Sequence, residues 1–173
     1  MPQPLSYNIS NMLSDEFFKT LDENKKYDVI LGEGIHTLEQ TYIDTQNSIK
    51  HLSDNGFILI HDCNPPTEYH ARSYEEFLND PGSWNGQAYK AFIRLKSELN
   101  NWSCFVIDED WGCAILTPRQ IIKNRQLTYG IGRNVTWENF NKYRKELLQL
   151  ISYEEFEQLI ISDSKSYLEN KKK

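Results

Sequence analysis

The stretch Tyr27-Asp28-Val29-Ile30-Leu31-Gly32-Glu33-Gly34-Ile35-His36 decides the fold. Its opening is a short, β-branched apolar run that reads as a buried strand over 27–31, and Gly32 and Gly34 end it. Thr37 with Gln40 three residues on forms a capping box, so a helix begins there. Leu38, Tyr42, Ile49 and Leu52 fall on one helical face, and Ser53-Asp54-Asn55-Gly56 reads as the turn that closes the helix. Phe57-Ile58-Leu59-Ile60 is a second continuous apolar run, the pattern of a strand covered on both faces, and it breaks into His61-Asp62-Cys63-Asn64-Pro65-Pro66. Strand, helix and strand in that order imply a right-handed parallel crossover.

Working outward, residues 14–23 predict a short helix packing Phe17, Phe18 and Leu21 and capped by Ser14. Ser73 and Glu76 form another capping box before a brief helix, which Asn79-Asp80-Pro81-Gly82 closes. Ala88, Ala91, Phe92, Leu95 and Leu99 recur at helical spacing and predict an amphipathic helix over 87–100 on the same sheet. Residues 103–107 and 113–117 are strand-like runs joined by Asp108-Glu109-Asp110-Trp111-Gly112, short enough for an antiparallel hairpin. Beyond Pro118, Trp137, Phe140, Tyr143, Leu147 and Leu150 share a helical face, and Ser152 with Glu155 caps a further helix carrying Phe156, Leu159 and Ile160. The expected class is α/β: parallel strands plus a C-terminal antiparallel hairpin over 1–120, and a helical appendage over 121–173.

A chain of 173 residues is one domain with at most a small appendage, and with 39% hydrophobic residues it has the means to bury a core. Net charge is -6, which repels phosphate backbones and argues against nucleic-acid partners; the basic run Lys171 to Lys173 reads as a solvated tail. No stretch is long and apolar enough for a membrane span, and Met1-Pro2-Gln3-Pro4 opens neither a basic nor an apolar signal segment, so a cytoplasmic protein is expected. Cys63, Cys104 and Cys113 lack paired spacing, and burial as small hydrophobes is the expectation. Without secretion the acceptor-like Asn134-Val135-Thr136 is idle.

Ligands of open parallel sheets bind outside the carboxyl ends of the strands, which selects Glu33-Gly34-Ile35-His36 and His61-Asp62-Cys63-Asn64. Two carboxylates and two imidazoles at adjacent strand ends can bind a divalent cation, or pair as base and orienter to abstract a proton from a hydroxyl. His36 would sit at a helix N-terminus, where the dipole lowers its pKa and favours a neutral base. The plainer alternative is that His36 and Asp62 only cap helices and satisfy buried amides. His51 and His70 read as surface residues, and Trp84-Asn85-Gly86 as either a turn anchored by its indole or a lip on the crevice.

A strand ending in an acidic residue, glycine, any residue and histidine, then a capped helix, a second strand ending His61-Asp62-Cys63-Asn64-Pro65-Pro66-Thr67, then Trp84-Asn85-Gly86 and an amphipathic helix resembles a known pattern. It looks like the second half of a class I S-adenosylmethionine-dependent methyltransferase. The bacterial branch often found with polysaccharide genes, similar to the macrocin-type sugar O-methyltransferases, carries it best. Residues 14 to about 117 are covered, the tail over 136–160 is similar too, and the run from His61 to Thr67 is the most specific piece. The resemblance implies Glu33 and Asp62 as magnesium ligands and His36 as the base that takes a proton from a sugar hydroxyl, with His61, Asn64, Trp84 and Asn85 near the substrate. Glu33 stands where the family usually has aspartate, and Gly32 where an aliphatic residue is usual.

Such enzymes hold the cofactor mainly through an earlier strand and a glycine-rich turn, and this sequence has no glycine before Gly32. The chain thus resembles a family member shortened at its N-terminus. A first strand deprived of neighbours exposes an apolar edge, so the expectation is a homodimer joined across Tyr27 to Leu31, or cover of that edge by Leu5 to Ile9. The leading functional expectation is an S-adenosylmethionine-dependent O-methyltransferase acting on a sugar or polysaccharide hydroxyl. Its rivals are a non-catalytic remnant serving as a dimerisation or interaction module, and a metal-dependent hydrolase using His36, His61 and Asp62.

Overall fold

The structure, a computed structural model, describes residues 9–125 and 135–170, without the side chains of 166–170. Most of the Leu5–Ile9 segment, Asn134 and the Lys171–Lys173 run fall outside these residues. The protein is α/β, with a five-stranded mixed sheet in the order β1-β2-β4-β3-β5. The strands are β1 (Tyr27–Gly32), β2 (Leu52–Ile60), β3 (Ser103–Ile107), β4 (Cys113–Thr117) and β5 (Leu150–Ile151). The helices are α1 (Ser14–Thr20), α2 (Leu38–Lys50), α3 (Tyr74–Asn79), α4 (Ala88–Glu98), α5 (Trp137–Leu148) and α6 (Tyr153–Asn170). β1 and β2 are parallel, as the crossover requires. β4 runs antiparallel to both β2 and β3, so the hairpin folds its second strand back against the parallel pair. Among the described residues no helix is long and apolar enough to cross a membrane.

Alternation along the hairpin divides the core. Cys104, Val106, Ala114 and Leu116 face the helices and pack with Ile58, Tyr89, Phe92, Leu95, Phe140 and Leu148. Phe105, Ile107 and Ile115 face the other way, toward Ile122 and Phe156. Burying each large side chain contributes roughly 1.5–3 kcal/mol, so the helical face carries most of the stability. The opposite face thins out toward β1, where Val29 and Leu31 are 62% and 64% exposed.

Several elements differ from the sequence expectation. β1, read as a buried strand, is an edge strand of the sheet with Val29 and Leu31 exposed, and Ser14 does not cap α1, whose first residue it is, after Leu13. β5 was not expected. The turn signal at 53–56 does not end α2; β2 starts at Leu52 and absorbs these residues in an irregular stretch between the Tyr27–Leu52 and Val29–Phe57 pairs. The buried face of α2 is Thr41, Thr45 and Ser48, while Tyr42 and Ile49 pack at the margin. The hydroxyls of Thr45 and Ser48 donate to the carbonyls of Thr41 and Asp44 at 2.7 and 2.8 Å, so the buried face lies beside the one read from Leu38, Tyr42 and Ile49 and is filled by small polar side chains satisfied within the helix. His51, expected at the surface, is buried: its Nδ1 lies 3.0 Å from the Lys25 carbonyl and its ring stacks on Phe18.

Lys96 is buried under α5, donating to the carbonyls of Glu146 and Leu147 at 3.1 and 3.2 Å. It meets carbonyls of the last turn of α5, of which that of Glu146 also accepts from the Gln149 amide. Burial pulls its pKa down from 10.5 to about 8. Between those values the unfolded chain holds the extra proton, so this group's contribution to stability rises with pH across that window and is least favourable below it. Urea unfolding of the wild type and Lys96→Met should show their stability difference moving in favour of the wild type by roughly 1–2 kcal/mol from pH 7 to pH 9.5. A difference that stays flat would mean that Lys96 titrates normally.

Candidate functional site

The site forms because the parallel pairing of Gly32 with Ile60 ends both strands at the same level. Glu33 and His61 emerge side by side, with Glu33 Oε2 3.2 Å from His61 Nδ1. His36 sits just ahead of Thr37, whose hydroxyl accepts from the Gln40 amide and starts α2. Its Nδ1 lies 3.0 Å from Asp62 Oδ2, and its Nε2 lies 3.4 Å from Glu33 Oε1 in a geometry that makes no hydrogen bond. The imidazole is therefore held between two carboxylates from two strand ends.

Asp62 is 5% exposed and has φ of 62°, a conformation that costs a non-glycine residue roughly 1–2 kcal/mol per residue. Its Oδ1 accepts from Asn85 Nδ2 at 2.9 Å. Asn85 is wholly buried, and its own Oδ1 has no hydrogen-bond partner among the described residues. Trp84 covers His36, the rings stacked at 5.8 Å, and is itself stacked on Phe77 at 4.7 Å. Its Nε1 donates to the Arg72 carbonyl, so the residue both anchors its turn and walls the crevice.

Burial draws the His36 pKa down, but the hydrogen bond and charge of Asp62, with the charge of Glu33, outweigh it and leave the pKa raised above 6.5. The helix N-terminus was expected to lower it; two carboxylates within contact distance dominate instead. A higher pKa makes the neutral ring a stronger proton acceptor.

Of the residues singled out in the sequence, Glu33, His36, His61, Asp62, Trp84 and Asn85 meet here. Asn64 serves as a tie: its Nδ2 donates to Asp108 at 2.8 Å and its Oδ1 accepts from Arg144 at 2.7 Å, joining the loop after β2 to α5. Sequence reasoning missed Arg144, and it missed Asp110, whose Oδ2 lies 3.2 Å from His61 Nε2. Asp110 comes from the β3–β4 loop, where Trp111 and Gly112 carbonyls accept from the amides of Asn64 and Cys63. The only signal for it was an acidic hairpin loop.

Glu33, His61 and Asp62 offer ligand atoms within 4.8 Å of one another, so the donor set suits a cation. Beside them an open groove of about 320 Å³ is lined by Leu31, Glu33, Leu59, Ile60, His61 and Cys113. The three cysteines are free thiols, with Cys63 and Cys104 buried and Cys113 partly so. No family model, curated protein or solved structure matches the chain.

Proposed function

We propose that the chain is an S-adenosylmethionine-dependent O-methyltransferase domain that acts on a hydroxyl of a sugar or polysaccharide in the cytoplasm. The supporting observation is the placement of His36 between Asp62 and Glu33 at the ends of two parallel strands. The parallel pair followed by an antiparallel hairpin agrees with the Rossmann-like half that the resemblance implies. A groove with an apolar floor and a carboxylate at its rim suits a sulfonium-bearing nucleoside.

Asp62 fixes the His36 ring through Nδ1, and Asn85 fixes Asp62. Nε2 is then the proton-accepting nitrogen. Glu33, 50% exposed, lies beside it on the side from which the acceptor hydroxyl would approach. His36 Nε2 would take the proton of the acceptor hydroxyl, and S-adenosylmethionine, when bound, would supply the methyl group. Glu33 and Asp62, with His61 beside them, would hold a divalent ion, which when bound orients the acceptor oxygen and lowers its pKa. Incubation with methyl-labelled S-adenosylmethionine and a panel of methyl glycosides tests this reading. Label on a ring hydroxyl is expected; none on any pyranoside would refute it.

Among the described residues β1 is an edge strand, and this favours a second reading, a non-catalytic module that dimerises through this strand. Exposed apolar edges invite pairing, and a lysine there blocks it. Light scattering should find a dimer for the wild type and a monomer for the double variant Val29→Lys, Leu31→Lys. A monomeric wild type would remove edge pairing from either reading.

A further inference from the structure

We infer that Glu33, His61 and Asp62 form a centre selective for a divalent transition ion, manganese through zinc, over magnesium, with Asp110 as the carboxylate that orients its histidine. The inference deepens the proposed function at the same site, but its test is ion binding at equilibrium and does not depend on methyl transfer.

The donor set has one imidazole nitrogen and two carboxylates. Magnesium takes oxygen ligands and gives up water reluctantly, whereas imidazole suits manganese, iron, cobalt, nickel and zinc. The nitrogen that faces the carboxylates is His61 Nδ1, at 3.2 Å from Glu33 Oε2 and 3.6 Å from Asp62 Oδ1. Neighbouring ligands at right angles around an ion with bonds of about 2.1 Å stand roughly 3 Å apart, so both separations close on an ion with a small inward movement. Asp62 Oδ1 already accepts from Asn85, which leaves a second lone pair for a metal.

The other ring nitrogen supplies the independent argument. His61 Nε2 lies 3.2 Å from Asp110 Oδ2, on a residue from a different loop, 49 positions away in the chain. A histidine ligand characteristically donates its second ring N–H to a carboxylate, which sets the tautomer and turns the remaining lone pair to the metal. With Nε2–H given to Asp110, the Nδ1 lone pair faces two carboxylate oxygens. That is the orientation a bound metal ion would use.

Calorimetric titration of the full chain with MnCl₂, ZnCl₂ and MgCl₂ tests the inference. One equivalent of manganese or zinc should bind at least ten times more tightly than magnesium. His61→Asp should remove that preference. Asp110→Asn, at a side chain 83% exposed and so without consequence for folding, should weaken manganese about 10- to 100-fold, and broadening of the His61 ring signals by manganese should fall with it. Magnesium binding as tightly as manganese, no ion binding at all, or an unaltered affinity in Asp110→Asn would each overturn the inference. Tight manganese binding by a chain that transfers no methyl group would leave it standing and refute only the activity.

Discussion

Replacing Gly86 with alanine is expected to destabilise the protein by about 3 kcal/mol and to disorganise the candidate site in the same step. Gly86 has φ of +63°, and an added Cβ would lie 2.3 Å from the His36 carbonyl oxygen and 2.8 Å from both His36 Cβ and Trp84 Cζ2. The left-handed conformation costs alanine roughly 1–2 kcal/mol, and overpacking adds about 1–3. The neighbours have little room to yield. The His36 carbonyl is fixed by the Gln87 amide at 2.6 Å, and Trp84 is tied through its indole to Arg72. Urea unfolding should show the loss, and the His36 ring signals should shift in the folded fraction. A variant within 0.5 kcal/mol of the wild type, the scatter of ordinary surface substitutions, would contradict the packing described.

His36→Gln is expected to lower labelled methyl transfer by about 10²- to 10⁴-fold, the range for loss of a positioned general base. Glutamine can still donate to Asp62 Oδ2, so the buried carboxylate keeps two donors, glutamine and Asn85, and stability should change little. The loss should fall on kcat, with KM for the acceptor nearly unchanged, because the interaction removed belongs to proton transfer. An unchanged kcat would mean that His36 only partners Asp62.

The site was legible in the sequence where one topological rule applied. Two apolar runs flanking a capped helix require parallel strands, and the ends of parallel strands bring Glu33, His36, His61 and Asp62 together. The hairpin was equally legible, since β-branched runs at 103–107 and 113–117 leave room only for a short loop. The Ser73–Glu76 and Ser152–Glu155 boxes cap helices as read.

What the sequence concealed depends on distant packing. Asn64 meets Arg144 across 80 positions, and no local pattern distinguishes that arginine from the other charges of α5. The two-residue strand β5 pairs with β3 only because α5 ends in a left-handed Gln149 that turns the chain back to the sheet. The buried face of α2 misled because Thr45 and Ser48 count as polar in any periodic pattern, yet each satisfies its hydroxyl inside the helix. His51 was read as a surface residue for the same reason: its partner, the Lys25 carbonyl, comes from the opposite end of the crossover.

Calorimetric titration with S-adenosylhomocysteine bears most directly on whether this strand-end cluster serves methyl transfer. Saturable heat at submillimolar ligand, abolished when Glu33 and Leu31 at the groove are replaced together, is the outcome expected. Silence at millimolar ligand from a folded chain would contradict the enzyme and leave the interaction module in its place.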